Sequence, residues 1–166
     1  YALGLPTGKS LIDKTSVQLC RDILATAQQH NTPVLLPIDY QVADKTQDGP
    51  LKYTQTEEIA QHEVGISIGP KTEQFFATTI SHARTIFYNG LMGFRERPET
   101  LKGVHAVLSA MSKSNAYTVI GGGDTVGAAE YLGFAPYISF CSTGGGATIT
   151  YLSGEKLPGI EALIAP

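Results

Sequence analysis

The chain has 166 residues, of which 42% are hydrophobic and 16% charged, a composition typical of one globular domain with a proper core. Its net charge is −3 at pH 7 and its basic residues are scattered, which argues against a nucleic-acid partner. No apolar run approaches the roughly 20 residues that a membrane span requires, and no signal peptide is visible.

The first predicted element after a loop rich in glycine and proline is a helix that runs to about His30. Asp13 or Thr15 can cap its beginning. Four apolar residues at helical spacing predict a stripe that faces the core: Val17, Cys20, Leu24 and Ala27. Both cysteines, Cys20 and Cys141, lie in apolar periodic segments, so we expect buried thiols in a reducing compartment.

Short apolar runs and helical patterns alternate along the middle of the chain. Residues 34–36 predict a buried parallel strand that residues 37–43 extend, and the polar residues 44–58 predict a surface excursion. Residues 64–68 predict another strand. A helix then begins near Pro70, and we expect three of its side chains to point inward: Phe75, Phe76 and Ile80.

The second half of the chain repeats this alternation. Strands are predicted over residues 85–88, 117–120 and 137–141, and helices over residues 99–112 and 160–164. The buried stripe of the first of these helices comprises Leu101, Val104, Leu108 and Met111. The whole pattern predicts an α/β fold, a three-layer, doubly wound and mostly parallel Rossmann-like sheet with right-handed crossovers.

Two glycine-rich turns follow the last two predicted strands, Gly121-Gly122-Gly123-Asp124-Thr125 and Ser142-Thr143-Gly144-Gly145-Gly146. Glycines let backbone N–H groups face an anion, and a helix N-terminus adds partial positive charge. Two such turns one strand apart meet at one edge of a sheet, where open α/β sheets bind ligands. The Asp124 carboxylate suits a magnesium ion that bridges phosphates. The alternative is a pair of tight strand-to-helix turns that hold no ligand.

The loop after Asn89 contains a further candidate, Glu96, which lies near the same predicted sheet edge. A carboxylate there can accept two hydrogen bonds from a ribose, and a surface or capping glutamate is the alternative. Arg95 and Arg97 flank it and are interpreted as surface charges rather than phosphate ligands. Lys71 at a helix start is interpreted as a solvated lysine. The four histidines share no metal-ligand spacing.

In their order and spacing these motifs resemble the phosphoglycerate kinase family over essentially the whole chain. The matching segments are Ile68-Gly69-Pro70-Lys71-Thr72, Asn89-Gly90, Met92-Gly93, Glu96, the two glycine turns and Leu157-Pro158-Gly159. The resemblance identifies residues 1–166 as most of the family's C-terminal, nucleotide-binding domain, incomplete at its N-terminal side and without the partner substrate domain. Because the chain begins like the tail of an earlier element, we expect it to be part of a longer protein.

The resemblance implies a glycolytic phosphotransferase that moves a phosphoryl group reversibly between ATP and the carboxylate of 3-phosphoglycerate. Asp124 would hold the magnesium ion of the nucleotide, and Glu96 would bind the ribose hydroxyls. The backbone amides of Gly122, Gly123 and Thr125 would contact the phosphates. Gly144 and Gly145 would stabilise the phosphoryl group during transfer.

The resemblance also implies the ligands and setting of the complete protein. These are ATP or ADP with Mg²⁺, 3-phosphoglycerate held by the absent N-terminal domain, a cytoplasmic location, a monomer, and no nucleic-acid or membrane partner. The chain departs from the family pattern at Ser67, Leu91, Phe94-Arg95 and Phe140, which bears on nucleotide affinity. We expect the 166 residues alone to be inactive. The alternative function is a standalone nucleotide-binding or interaction module without catalysis.

Overall fold

The computed structural model describes residues 1–164, which form six α-helices and six β-strands. In chain order the elements are α1 (Val17–Gln29), β1 (Tyr40–Asp44), β2 (Leu51–Tyr53), β3 (Glu63–Ile68), α2 (Pro70–Ser81), β4 (Thr85–Asn89), α3 (Lys102–Lys113), β5 (Tyr117–Gly121), α4 (Gly123–Tyr131), β6 (Phe140–Ser142), α5 (Gly145–Leu152) and α6 (Pro158–Ile164). No helix among them has the length and apolar character to span a membrane.

A parallel sheet of order β4-β5-β6 forms the half of the protein that carries the glycine turns. Helix α3 connects β4 to β5, and α4 connects β5 to β6, as expected for parallel strands. The predicted stripe of α3 is confirmed as the centre of the core, and it packs with Ile120 and with Val126, Ala128 and Ala129 of α4. The α/β fold with a parallel sheet is therefore confirmed.

An antiparallel sheet of order β2-β1-β3 was not foreseen from the sequence. Residues 44–58, expected to be a surface excursion, turn back on β1 and supply the short strand β2. The turn includes Lys45 in the left-handed region at φ 62° and Gly49 packed against the Asp44 backbone. Lys52 of β2 then pairs with the buried Glu63 of β3 at 2.6 Å. Turn chemistry and one ion pair outweigh the low strand propensity of this polar segment.

Three predictions for the first half of the chain are wrong. Val34, Leu35 and Leu36 form no strand and are 43, 37 and 44% exposed, since no strand within residues 1–164 pairs with them. Helix α1 has no buried residue, and Cys20 is exposed rather than buried. In α2 the fully buried side chain is Thr72. Phe75 is 36% exposed and Phe76 is only partly buried, whereas Ile80 packs against the core as expected.

The N-terminus of α2 is capped from outside the helix by Asp39, which is 1% exposed. The residue at the N-cap position, Gly69, has no side chain to do so, and a Cβ there would lie 2.4 Å from the Asp39 carboxylate. The Lys71 N–H donates to this carboxylate at 3.0 Å, and the N–H and hydroxyl of Thr72 donate at 2.8 and 2.6 Å. One buried carboxylate thus joins the segment before β1 to α2.

We predict that Asp39→Ala lowers the free energy of unfolding by about 2–3 kcal/mol, because it removes a cap and leaves buried donors without acceptors. Urea denaturation measures this change. Asp48→Ala, at an exposed turn position, is the matched control and should change stability by less than about 0.5 kcal/mol. Equal losses in both variants would contradict the capping role of Asp39.

Candidate functional site

The two glycine turns touch each other at the carboxyl ends of β5 and β6. A Cβ on Gly145 would lie 2.8 Å from the Cα of Gly122, so only glycine allows this approach of the two backbones. Gly122 has a φ of 98°, and its N–H donates to the Ser142 carbonyl at 2.9 Å. The structure therefore brings both turns to one edge of the sheet, as the strand order predicts.

The first turn of α4 presents three backbone N–H groups that donate to no acceptor within residues 1–164: those of Gly123, Asp124 and Thr125. The first bonded amide of the helix is that of Val126, which donates to the Gly122 carbonyl at 2.9 Å. The expectation that the Gly122 amide faces a phosphate is wrong, because that amide is already bound to Ser142. Gly122 instead shapes the turn that leaves the following three amides without an acceptor in the described chain.

The second turn differs from the expectation in the same way. The Gly144 N–H donates to the Ser142 hydroxyl at 3.3 Å, and the Gly145 N–H donates to the Thr143 carbonyl at 3.0 Å. The amides left without an acceptor in the described chain are those of Gly146 and Ala147, in the first turn of α5. These unbonded amides lie two residues beyond Gly144 and Gly145, the glycines singled out from the sequence in this turn.

Asp124 lies in the first turn of α4 with an exposed carboxylate that forms no hydrogen bond or ion pair with any residue of the described chain. Residues 1–164 contain no group of three or more His, Cys, Asp or Glu side chains that could enclose a metal. A single free carboxylate fits Mg²⁺, which keeps several waters and shares phosphate oxygens rather than filling a protein cage.

Hydrogen bonds from two side chains join the end of β4 to the first glycine turn. The Asn89 side-chain amide donates to the Gly121 carbonyl at 2.7 Å. The buried Thr125 hydroxyl accepts from the Gly90 N–H at 3.0 Å, where Gly90 has a φ of 104°. The roles of Asn89 and of the Thr125 hydroxyl were not foreseen, because each joins segments more than 30 residues apart in sequence.

The loop that carries Glu96 is held by the fully buried Thr100. The Thr100 hydroxyl accepts from the Phe94 N–H at 2.8 Å and donates to the Arg97 carbonyl at 2.7 Å. Arg97 is no free surface charge, because its guanidinium donates to the carbonyls of Gln47 and Gly49 and pairs with Glu99. The Glu96 side chain itself is exposed and has no partner within the described residues.

Of the remaining candidates, Lys71 binds a backbone carbonyl and Cys141 is an unreactive thiol. The Lys71 ammonium donates to the Gln55 carbonyl at 2.8 Å. Cys141, next to the second turn, is half-buried; burial first and the charge of Glu130 second raise the pKa of its thiol. The thiol therefore stays protonated at neutral pH and is a poor nucleophile.

Parallel strands that end in glycine turns and lead into helix N-termini define the class of α/β domains that bind phosphate-bearing ligands at one sheet edge. A family profile described as phosphoglycerate kinase matches residues 1–155. The chain belongs to the phosphoglycerate kinase family.

Individual relatives agree with this assignment. Phosphoglycerate kinases of Clostridium perfringens and Bdellovibrio bacteriovorus are 41 and 42% identical to the chain, and each match covers 98% of this chain but 41% of the relative. The solved phosphoglycerate kinase of Coxiella burnetii superposes on 96% of this chain and 42% of its own, with a TM-score of 0.88 and 32% identity. That of Pyrococcus horikoshii OT3 has a TM-score of 0.72 at 27% identity, over 98% of this chain and 41% of its own. The chain thus spans about two-fifths of these proteins.

We predict that Gly122→Ala destabilises the protein by about 1–3 kcal/mol, because a side chain is strained at this positive φ. Gly146→Ala is the matched control, since a Cβ there meets no atom within 4 Å. Thermal unfolding of both variants measures the difference. The opposite order of stabilities would show that the positive φ of Gly122 is not the constraint described.

Proposed function

We propose that this chain forms the nucleotide-binding part of a phosphoglycerate kinase, which transfers a phosphoryl group reversibly between ATP and the carboxylate of 3-phosphoglycerate. The observation that supports this most directly is the contact between Gly122 and Gly145. That contact sets two helix N-termini side by side, with unbonded amides next to the free carboxylate of Asp124.

The phosphates of the nucleotide would lie against the first turn of α4. The amides of Gly123, Asp124 and Thr125 offer three donors that need no rearrangement, since the Thr125 hydroxyl already fixes the helix start against Gly90. Donors fixed before the ligand arrives lose little entropy on binding, so they stabilise charge efficiently.

A magnesium ion, which the family membership implies, would be held by Asp124 together with phosphate oxygens and water. Its chemistry there would be neutralisation of phosphate charge. An exposed carboxylate without a protein partner is free for that task. Asp124 also lies in the first turn of α4, where the helix dipole favours negative charge.

The phosphoryl group in transfer would face the first turn of α5, where the amides of Gly146 and Ala147 are unbonded. Gly144 and Gly145 would act by shaping this turn and letting it approach Gly122. Phosphoryl transfer depends mainly on alignment and charge stabilisation, so backbone amides suffice as catalytic groups. Glu96, on its fixed loop, would accept hydrogen bonds from the ribose hydroxyls.

The acid substrate would be bound outside this chain. A phosphorylated acid calls for clustered basic side chains, whereas Arg21 donates to the Ala2 carbonyl and Arg97 to a turn of its own domain. The other three-fifths of a complete protein would therefore supply the site for the acid. We propose that the complete enzyme is cytoplasmic and monomeric. Residues 1–166 would then be one incomplete domain of a two-domain kinase.

We predict that Asp124→Asn in the complete enzyme lowers turnover by about 100-fold while leaving the thermal midpoint unchanged, because phosphate charge is less neutralised. Glu130→Gln, also exposed on α4 but in its last turn, is the matched control and should keep full turnover. Steady-state rates across a magnesium titration measure both. Equal rates for Asp124→Asn and the parent would exclude this role, whereas nucleotide binding without turnover in the parent would favour the standalone module.

We predict that Glu96→Gln weakens ATP and ADP binding by about fivefold, since a charge-assisted hydrogen bond becomes a neutral one. Calorimetry with each nucleotide measures the affinity. Glu58→Gln, an exposed carboxylate outside this loop, should leave it unchanged. If Glu96→Gln binds both nucleotides as tightly as the parent, Glu96 is a surface residue.

A further inference from the structure

Arg95 and Arg97 flank Glu96 but have opposite surroundings. Arg97 is half-buried, with three protein acceptors for its guanidinium. Arg95 is exposed, and within residues 1–164 the guanidinium hydrogen bonds belong to Arg21 and Arg97 alone. Arg95 takes part in none of the ion pairs of the described chain. Its charge is therefore uncompensated by the protein.

The Arg95 guanidinium nevertheless has a defined place, because it lies against Gly127 in the middle of α4. Its Nη1 atom is 2.9 Å, and its Cζ atom 3.5 Å, from the point where a Cβ on Gly127 would stand. Any side chain at position 127 would compete for this space. Because Gly127 has no side chain, the guanidinium of Arg95 from the neighbouring loop can occupy this space.

The position of the Arg95 guanidinium at Gly127 is close to the groups proposed to bind phosphate. Gly127 follows Asp124 by three residues and Gly123 by four, so all three share one face of α4. Four residues of helix correspond to about 6 Å along the axis, which an arginine side chain readily spans. The Arg95 guanidinium therefore lies about one helical turn from the unbonded amides at the start of α4.

The electrostatics of α4 point to an anion as the partner of Arg95. The guanidinium carries a full positive charge about one turn from the positive end of the α4 dipole, and both favour negative charge nearby. Asp124 offers one negative charge, yet Arg95 is not paired with it. A phosphate chain at the α4 amides would compensate both the dipole and the guanidinium.

We propose that Arg95 is a phosphate-binding residue that contacts the polyphosphate chain of the nucleotide, and that Gly127 positions it. This inference rests on the proposed function and adds a cationic side chain to a site otherwise built from amides and a carboxylate. It also replaces the interpretation of Arg95 as a plain surface charge. An arginine suits this task because its planar fork binds phosphate oxygens in pairs.

The experiment compares the parent protein with Arg95→Gln, Arg95→Lys, Gly127→Ala and Arg84→Gln, using calorimetry with ADP, ATP and adenosine. Arg84 is exposed and precedes β4, at the opposite end of that strand from the site, so Arg84→Gln removes an equal charge elsewhere. Adenosine lacks phosphates and reports on the rest of the nucleotide site. Gly127→Ala removes no charge, and alanine favours a helix interior, so loss of folding is not expected.

The expected result is that Arg95→Gln weakens ADP and ATP binding by about five- to tenfold while adenosine binding is unchanged. Arg95→Lys and Gly127→Ala should fall between Arg95→Gln and the parent, and Arg84→Gln should match the parent. The parent should also show a steeper salt dependence of ADP affinity than Arg95→Gln.

Equal ADP affinity in Arg95→Gln and the parent would overturn the inference, as would an equal loss with adenosine. In either case the proposed function stands, because the parent still binds nucleotide. A parent protein that binds neither nucleotide nor adenosine would overturn both proposals together.

Discussion

The site depends on one constraint, which is that two polypeptide backbones pass within van der Waals contact where β5 and β6 end. Gly122 and Gly145 meet there without side chains, and every other part of the site is placed relative to that contact. Helices α4 and α5 begin beside each other, and their unbonded amides lie at the same edge of the parallel sheet. Asp124 is part of the first turn of α4. A methyl group on Gly145 would separate the starts of the two helices.

The sequence was sufficient for features that depend on local patterns. The stripe of α3, the parallel strands β4 and β5, and both glycine turns follow from periodicity and from glycine placement, and the structure has them. The choice of individual amides was not accessible in this way. Whether the N–H of Gly122 or of Gly145 is free depends on the Ser142 and Thr143 carbonyls, whose positions are set only when the turns have folded.

The failures in the first half have a common physical origin in missing partners. Residues 34–36 have the composition of a buried strand, but no strand within residues 1–164 pairs with them, and they stay partly exposed. The antiparallel sheet shows the reverse case, in which a polar segment becomes a strand because a turn and the Lys52–Glu63 pair hold it there. The hydrogen bonds of Asp39 and Thr125 join segments more than 30 residues apart, so they likewise leave no periodic pattern in a sequence.

The outer edge of β4 has a consequence for how this chain behaves while it folds. On one side β4 pairs with β5, and no strand within residues 1–164 pairs with its other side. The side chain of Phe87 on this strand is 38% exposed. Unpaired backbone groups beside apolar side chains accept a strand from any source. Folding within one molecule is independent of concentration, whereas strand addition between molecules is second order. The yield of folded monomer will therefore decrease as the protein concentration during refolding increases.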